Sequence, residues 1–411
     1  MILLSHPFGN QNVRHAALAL ARAGLLREFW TCIRWNEHGL LHHCLPPGMQ
    51  RELRRRSFPV ELDPFIRTDP WREWGRQIAP RLGLAALARG DASFLSANAT
   101  FRALDRRVAH RLAACPDVTA VYGYDDGALE TFRAAKAARM ITIYEHPITH
   151  WRKVRRLQEE EADLHPEWKP TLLALHDSPE KVARKDEELA LADLILTPST
   201  FSKESLSLAP GLSAPIHVNP YGAPPICTAT RVPSAGEKLK VLFVGSLGQA
   251  KGISYLLEAA ARLTNHIEMT LVGRRMHSSI PESAALSRWQ WFPSLPHDEV
   301  LRQMALHDVF VLPSLHEGFA LVLLEAMSQG LPVIATSNTG IGDVLTDERE
   351  GFLIPIRSAD AIVEKLEQLI RNRELLAEMS AAAKHTAAQC SWDGYERRLV
   401  SILEPVIRPP S

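Results

Sequence analysis

Residues 308–340 read DVFVLPSLHEGFALVLLEAMSQGLPVIATSNTG, and this stretch decides the fold. Its two apolar runs, 309–312 and 332–335, predict short buried strands. The leucine-rich segment between them predicts a helix that begins after the loop 316–320 and ends at Gly330. A strand, a loop, a helix and a strand in this order predict parallel strands of an α/β sheet. The loop aims backbone N–H groups and the positive end of the helix dipole at one point, which suits a diphosphate.

Two carboxylates flank this predicted phosphate site. Glu317 precedes the helix and Glu325 lies on its first or second turn, with seven residues between them. Because a carboxylate repels a phosphate, the pair indicates hydroxyl-rich parts of a ligand. A carboxylate can accept two hydrogen bonds from a vicinal diol, as on a ribose or a hexose. As an isolated pair, the two residues would also fit a helix cap and a solvated helix position.

The residues EGFALVLLEAMSQGLPVIAT resemble the E-x7-E signature of the family 4 retaining glycosyltransferases. The resemblance implies transfer of a sugar from a UDP- or GDP-sugar to a hydroxyl with retention of configuration, in polysaccharide or glycoconjugate synthesis. It assigns Glu317 to the donor sugar and Glu325 to the nucleotide ribose. The backbone after Gly318 would meet hydroxyls and phosphates through the amides of Phe319, Ala320 and Leu321. Ala320 departs from the family, which often has glycine there.

The resemblance covers about residues 185–400 and implies the GT-B fold, two Rossmann-like α/β domains facing each other across a cleft. Residues 1–223 are the predicted acceptor-binding domain and residues 239–390 the predicted donor-binding domain. The segment 224–238, rich in Pro, Ser and Thr, is the predicted linker. Residues 391–411 begin with an element similar to FSW-x-x-Y of the family, and they are expected to form a helix that crosses back to the first domain.

Further donor-binding residues are expected where strands of the second domain end. Gly245 lets the backbone approach a phosphate, and Lys251 supplies a positive charge at the start of a helix. The family typically has an arginine near this lysine, but Ser246 occupies that position in this chain. Arg274 follows the next strand, and the resemblance places Pro293 in the segment whose backbone reads the base.

The first domain contributes two expected site residues. The loop around Gly9 follows the first strand, and the resemblance directs it toward the phosphates and the acceptor, although a plain tight turn would have the same sequence. His146 follows the strand 140–144, at a sheet edge where ligands gather, and it matches a histidine that relatives carry near the reacting sugar. A structural histidine is the alternative. The expected catalytic residues are therefore Glu317, His146 and Lys251, without a protein nucleophile.

The charge distribution indicates an anionic partner for the first half of the chain. Residues 1–156 carry 24 Lys+Arg and 14 Asp+Glu, a net charge of +10, and the remaining residues carry −10. This favours a polyprenyl-phosphate-linked acceptor, or an anionic membrane surface contacted by the basic and aromatic residues Arg54, Arg55, Arg56, Phe58, Trp71 and Trp74. A solvated basic face together with a soluble glycan acceptor is the alternative. No pattern typical of a nucleic-acid-binding module is present.

Composition also limits the cofactors and the compartment. Five scattered cysteines without a C-x-x-C pair, and histidines without metal-ligand spacing, predict a cytoplasmic protein without a metal site. The resemblance then implies a metal-independent enzyme with no cofactor besides its nucleotide-sugar co-substrate. No apolar run is long enough to span a membrane, so any association with its inner face would be peripheral. Two other functions fit the same architecture: a nucleotide-sugar epimerase, and a non-catalytic sugar- or lipid-binding scaffold, which Ser246 favours.

Overall fold

The computed structural model describes residues 1–37, 39, 45, 47–87, 93–228, 236–277 and 286–408. Within these residues the strands of the first sheet are β1 (Ile2–Ser5), β2 (Leu26–Thr31), β3 (Ile66–Thr68), β4 (Ala120–Tyr124), β5 (Ile141–Glu145), β6 (Leu194–Thr197) and β7 (Ile216–Val218). Those of the second sheet are β8 (Leu239–Val244), β9 (Ile267–Val272), β10 (Gln290–Phe292), β11 (Val309–Leu312), β12 (Val333–Thr336) and β13 (Gly351–Ile354).

The helices cover both faces of the two sheets. They are α1 (Gln11–Arg22), α2 (Pro47–Arg54), α3 (Trp71–Ile78), α4 (Ala97–Leu112), α5 (Leu129–Ala137), α6 (Trp151–Leu164), α7 (Pro179–Ala190), α8 (Thr200–Ser205), α9 (Ile253–Arg262), α10 (His297–Ala305), α11 (Leu321–Ser328), α12 (Ala359–Arg371), α13 (Arg373–Gln389) and α14 (Trp392–Ile407).

Both sheets are parallel throughout and are doubly wound. The strand order is β3-β2-β1-β4-β5-β6-β7 in the first and β10-β9-β8-β11-β12-β13 in the second. The central strands are buried along their whole length, as in β4 and β11, because helices cover both sides. This confirms the predicted α/β fold with two Rossmann-like domains. In each sheet the order reverses beside the strand that comes first in its domain, where ligands of such sheets bind.

The helix α14 crosses back onto the first domain, as predicted. Trp392 stacks on His15 of α1, with ring centroids 4.1 Å apart. Glu396 accepts hydrogen bonds from Arg22 (2.7 Å) and binds His15 (2.8 Å). The predicted domain limits at 223, 238 and 390 stay predictions, and part of the predicted linker, residues 229–235, lies outside the described residues.

The many charged residues of the segment 151–188 are typical of an exposed helix. The segment instead forms two helices, α6 and α7, joined by short 3-10 turns around Pro166 and Pro170. Glu161 and Lys185 are buried in it. The physical reason is that α6 packs against the second domain, which a charge pattern alone does not show. In the part of the chain that the structure describes, no helix has the length and apolar character needed to cross a membrane.

Candidate active site between the two domains

Glu317 is held at the carboxyl end of β11. Its amide donates to the carbonyl of Asn338 (2.8 Å), and the Ser314 hydroxyl donates to its Oε1 (2.8 Å). Lys251, from the loop after β8, forms an ion pair with the same oxygen. Because β8 and β11 are neighbours in the sheet, their carboxyl ends bring together two groups that are distant in sequence. The predicted sugar-binding carboxylate and the predicted phosphate-binding cation are therefore in direct contact.

The backbone fixes Lys251 just before α9. Gly252 has a φ of +69°, and a Cβ at this position would overlap the carbonyl oxygen of Pro313, so the turn requires glycine. Gly245 lies at the end of β8, where its carbonyl oxygen touches Gly273. Ser246 follows and lines the same cavity as Lys251. The loop after β8 thus packs closely on the loop after β9, and its contact with a phosphate stays a prediction.

The two domains touch at Gly318. A Cβ on this glycine would overlap the carbonyl oxygen of Pro147, which follows β5 in the first domain. Ser199 donates its hydroxyl to the Gly318 carbonyl (2.5 Å), and Thr149 donates to the carbonyl of Glu317 (2.7 Å). The missing side chain of Gly318 therefore allows the loop after β11 to press against the first domain.

Two cavities between the domains contain the two glutamates separately. The smaller one, of about 460 Å³, is lined by Glu317, Lys251 and Ser246 from the second domain and by Asp126 and Trp151 from the first. The larger one, of about 970 Å³, is lined by Glu325 and His297 from the second domain, and by α1 and residues near Phe58 from the first. The sequence does not predict this division.

Glu325 projects from α11 into the larger cavity, with 15 % of its side chain exposed. Burial raises the pKa of its carboxyl above the ordinary value, and His297, with Nδ1 3.9 Å from Oε1, partly opposes that rise. His297 begins α10, which follows the segment of Pro293. Pro293 itself is exposed, and so is Arg274. A ribose bound to Glu325 would therefore lie near the segment predicted to read the base.

Two of the three predicted phosphate-binding amides already have partners within the chain. The amide of Ala320 donates to the carbonyl of Thr339 (3.0 Å), and that of Leu321 donates to the carbonyl of Phe319 (3.0 Å). The Phe319 ring is buried edge-on against Tyr221, with centroids 5.9 Å apart. In this conformation the loop is closed on itself and on the first domain.

Gly9 has a φ of +57°, and a Cβ here would overlap the ring of Phe58. Its amide donates to Nδ1 of His6 (3.0 Å), which also accepts from the amide of Phe8 (3.1 Å). Burial, and then the charge of Arg56, lower the pKa of His6 to about 3. A neutral His6 can accept both hydrogen bonds, so this loop is more constrained than a plain turn.

His146 lies at the end of β5 but is not among the residues that line the two cavities. It is buried, and neither ring nitrogen has a hydrogen-bond partner among the described residues. Its Nδ1 is 3.8 Å from Asp125, too far for a hydrogen bond. Asp125 instead forms an ion pair with Lys185. The catalytic assignment of His146 stays a prediction, and in this conformation the ring is shielded from a bound sugar.

Sequence reasoning missed several residues of the interface. Gln158 on α6 binds the ring of His316 (3.1 Å), and Lys185 on α7 binds Asp126, which lines the smaller cavity (3.0 Å). Asp126 itself follows β4 at the sheet edge where ligands gather, and its φ of +68° is unusual for a non-glycine residue. Across the described ranges, no group of three or more His, Cys, Asp or Glu side chains could hold a metal ion.

Residues 229–386 match the family described as glycosyl transferases group 1. The sulfoquinovosyl transferase SQD2 of Arabidopsis thaliana is 32 % identical over 160 residues, which are 38 % of this chain and 31 % of the plant protein. The chain spans less than half the length of the curated relatives it matches.

Solved structures resemble the whole chain. A sucrose-phosphate synthase from Thermosynechococcus elongatus superposes with a TM-score of 0.67 at 16 % identity, covering 100 % of this chain and 99 % of that one. The Anabaena protein HepE, in complex with UDP and glucose, gives 0.62 at 16 % identity over 98 % and 99 % of the two chains. At such identity the likeness shows the fold alone. Residues 229–386 are thus similar to the glycosyl transferases group 1, and the described residues have the GT-B fold.

Proposed function

We propose that the protein transfers a glycosyl group from a nucleotide-diphosphate sugar to a hydroxyl of a glycan or of a lipid-linked acceptor, with retention of anomeric configuration. The observation that carries the proposal is the contact of Lys251 with Glu317 at the carboxyl ends of β8 and β11, with Glu325 on the helix that follows. These residues lie in the segment that matches the group 1 glycosyl transferases. The solved relative with UDP and glucose has the same fold.

The residues have separate tasks in this reaction. The bond from the anomeric carbon to the diphosphate breaks, the acceptor oxygen bonds to that carbon, and the acceptor proton leaves with the nucleoside diphosphate. Lys251 stabilises the charge that develops on the leaving diphosphate. Glu317 holds donor-sugar hydroxyls and Glu325 holds the ribose. Since an ammonium has three donors, Lys251 can contact a phosphate while it stays bonded to Glu317.

The test is nucleotide release from a panel of UDP- and GDP-sugars in the presence of candidate acceptors, with and without EDTA. We expect nucleotide release that depends on the acceptor and continues in EDTA. The reason is that Lys251 can supply the positive charge that compensates the leaving diphosphate. The anomeric configuration of the product, read by NMR, decides retention. A non-catalytic scaffold, which Ser246 favours, would bind a nucleotide sugar without any release, and an epimerase would alter the sugar without releasing nucleotide.

Glu325→Ala is expected to weaken binding of the nucleoside diphosphate by about 1.5–3 kcal/mol, since the ribose loses a charged hydrogen-bond acceptor. Isothermal titration with UDP or GDP measures this loss. A 2′,3′-dideoxy nucleotide should bind wild type and variant equally, because the hydroxyls that Glu325 recognises are missing. Wild-type affinity of Glu325→Ala for the ribonucleotide would disprove the ribose assignment.

The membrane-docking hypothesis keeps only part of the surface that the sequence suggests, since Trp71 and Arg54 are exposed but other predicted residues are not. Arg56 is bonded to the buried Glu73 (2.6 Å), Phe58 packs on Phe29, and Trp74 packs on Trp35. The side chains of Arg56, Phe58 and Trp74 therefore have their partners inside the first domain. Six of the twelve exposed large apolar side chains among the described residues lie within residues 71–94, at Trp71, Ile78, Leu82, Leu84, Leu87 and Phe94.

These six residues, here called the apolar cap, are bordered by positive charge. Arg72 stacks over the Phe94 ring (4.1 Å), and the neighbouring helix α4 carries the exposed Arg102, Arg106 and Arg107. The acidic residues of α3 and α4, Glu73 and Asp105, are buried in ion pairs. Apolar and aromatic groups beside exposed arginines suit an anionic membrane surface.

In liposome flotation at low salt, the protein is expected to bind anionic vesicles and to be released by high salt. The double variant Trp71→Ser, Phe94→Ser should lose this binding, because it removes side chains that are 80 % and 66 % exposed. Leu306→Ser, which removes an apolar side chain that is 53 % exposed on the second domain, is the matched control. Equal recovery of the double variant and the control would eliminate the apolar cap as the docking surface.

A further inference from the structure

Arg14 is an arginine without an acidic partner in the described structure. It lies in the first turns of α1, half-buried, where Nη2 donates to the carbonyl of Arg55 (2.5 Å) and the guanidinium lies over the Phe58 ring (5.4 Å). Its Nε is buried and has no hydrogen-bond partner among the described residues. A guanidinium has five donors, so much of its hydrogen-bonding capacity is left for a ligand.

Arg14 lines the larger cavity, across from Glu325. The two other arginines that line this cavity are paired, Arg34 with Asp63 (2.6 Å) and Arg54 with Glu37 (3.8 Å). Burial and the charge of Arg56 lower the pKa of Arg14, and Glu37 only partly offsets this. The protein therefore compensates the positive charge of Arg14 poorly. An anion in the cavity would stabilise the charged form of the guanidinium, which burial disfavours.

The proposed nucleotide-sugar donor needs a cation in the larger cavity. A ribose bound to Glu325 has its 5′-phosphate within the same cavity, because the two groups are joined by a single methylene. Lys251 lines the other cavity, and Ser246 stands where relatives have an arginine. Among the second-domain residues that line the larger cavity, the only basic side chain is that of His297.

We infer that Arg14, from the first domain, binds a phosphate of the nucleoside diphosphate whose ribose is held by Glu325 of the second domain. This inference rests on the proposed function. The planar guanidinium suits two phosphate oxygens at once, and the positive end of the α1 dipole, where Gln11 lines the same cavity, acts in the same direction. Nucleotide binding then links the two domains through Arg14, in place of an arginine at position 246.

Titration of Arg14→Met with uridine and UDP, and with guanosine and GDP, tests the inference. Loss of a charged hydrogen-bond partner should weaken diphosphate binding by roughly 10- to 100-fold and leave nucleoside binding unchanged. Arg14→Lys, which keeps the charge, should lose less. Arg34→Met removes an arginine of the same cavity that is already paired, and it should bind the diphosphate as wild type does.

Three outcomes separate the possibilities. Wild-type diphosphate affinity of Arg14→Met overturns the inference and leaves the proposed function standing. Equal losses for nucleoside and diphosphate also overturn it, because they indicate a distorted cavity rather than a lost phosphate contact. Failure of the wild-type protein to bind any of the four probes refutes the proposed function, and the role of Arg14 with it. Thermal unfolding of the variants without nucleotide shows whether α1 is still packed.

Discussion

Lys251→Met is expected to lower the turnover number for glycosyl transfer by roughly 10²–10³-fold, with a smaller change in the KM for the donor. The reason is that the charge on the leaving diphosphate is larger in the transition state than in the bound donor. The substitution removes the cation nearest to Glu317 and leaves that carboxylate bonded only to Ser314 among its present side-chain partners. Steady-state kinetics of nucleotide release measure the effect.

Two further variants separate the loss of the cation from the effect of an unpaired carboxylate. Lys181→Met removes a lysine of the same cavity that is paired with Asp177 (2.7 Å), and its turnover should stay close to wild type. The double variant Lys251→Met, Glu317→Gln removes both charges of the ion pair. If it recovered full turnover, the role assigned to Lys251 would be wrong, since the defect of Lys251→Met would come from Glu317 alone.

Glu161→Ala is expected to destabilise the protein by about 3–5 kcal/mol, because it removes a buried carboxylate that is the common acceptor of three side chains. Glu161 on α6 has a 0 % exposed side chain and accepts hydrogen bonds from three residues of the second domain. These are Gln249 (2.6 Å), Tyr255 (2.9 Å) and Arg357 (2.7 Å). With the carboxylate removed, the Arg357 guanidinium stays in the interface with only its contacts to Glu160 and Leu157.

The neighbouring Glu160→Ala is the matched control for Glu161→Ala. Glu160 binds the same Arg357 (3.0 Å), but its side chain is 43 % exposed, so its loss should cost about 0–1 kcal/mol. Urea unfolding followed by circular dichroism compares the two variants. Similar midpoints for both would contradict the role of Glu161, whereas a biphasic curve for Glu161→Ala alone would show that the domains unfold separately without it.

The sequence predicts elements whose signal is local. Residues 309–312 form β11 as predicted, because a strand buried on both faces is a continuous apolar run. The apolar residues near β4 begin at Val118, but β4 itself is Ala120–Tyr124, since Val118 is buried in the turn that precedes the strand. Apolar character therefore marks burial more reliably than it marks the limits of a strand.

Features that depend on the meeting of two domains could not be predicted. Glu161 reads as part of an acidic helix end, and its partners Gln249 and Arg357 come from distant parts of the chain. Gly318 reads as a phosphate-loop glycine, but its missing side chain makes room for Pro147. The E-x7-E spacing marks Glu317 and Glu325 as a pair, yet only the three-dimensional arrangement directs them into different cavities.

The crossing of α14 onto α1 sets an order of events during synthesis on the ribosome. Leu399 and Leu403 of α14 are fully buried, and Trp392 covers His15. The first domain therefore obtains its outer cover only after the whole second sheet has been translated. Until then the nascent chain presents the alanine-rich face of α1 unprotected, in a period when chaperones and aggregation compete for apolar surfaces. A chain stalled before residue 392 would thus leave the earliest-made domain as its most vulnerable part.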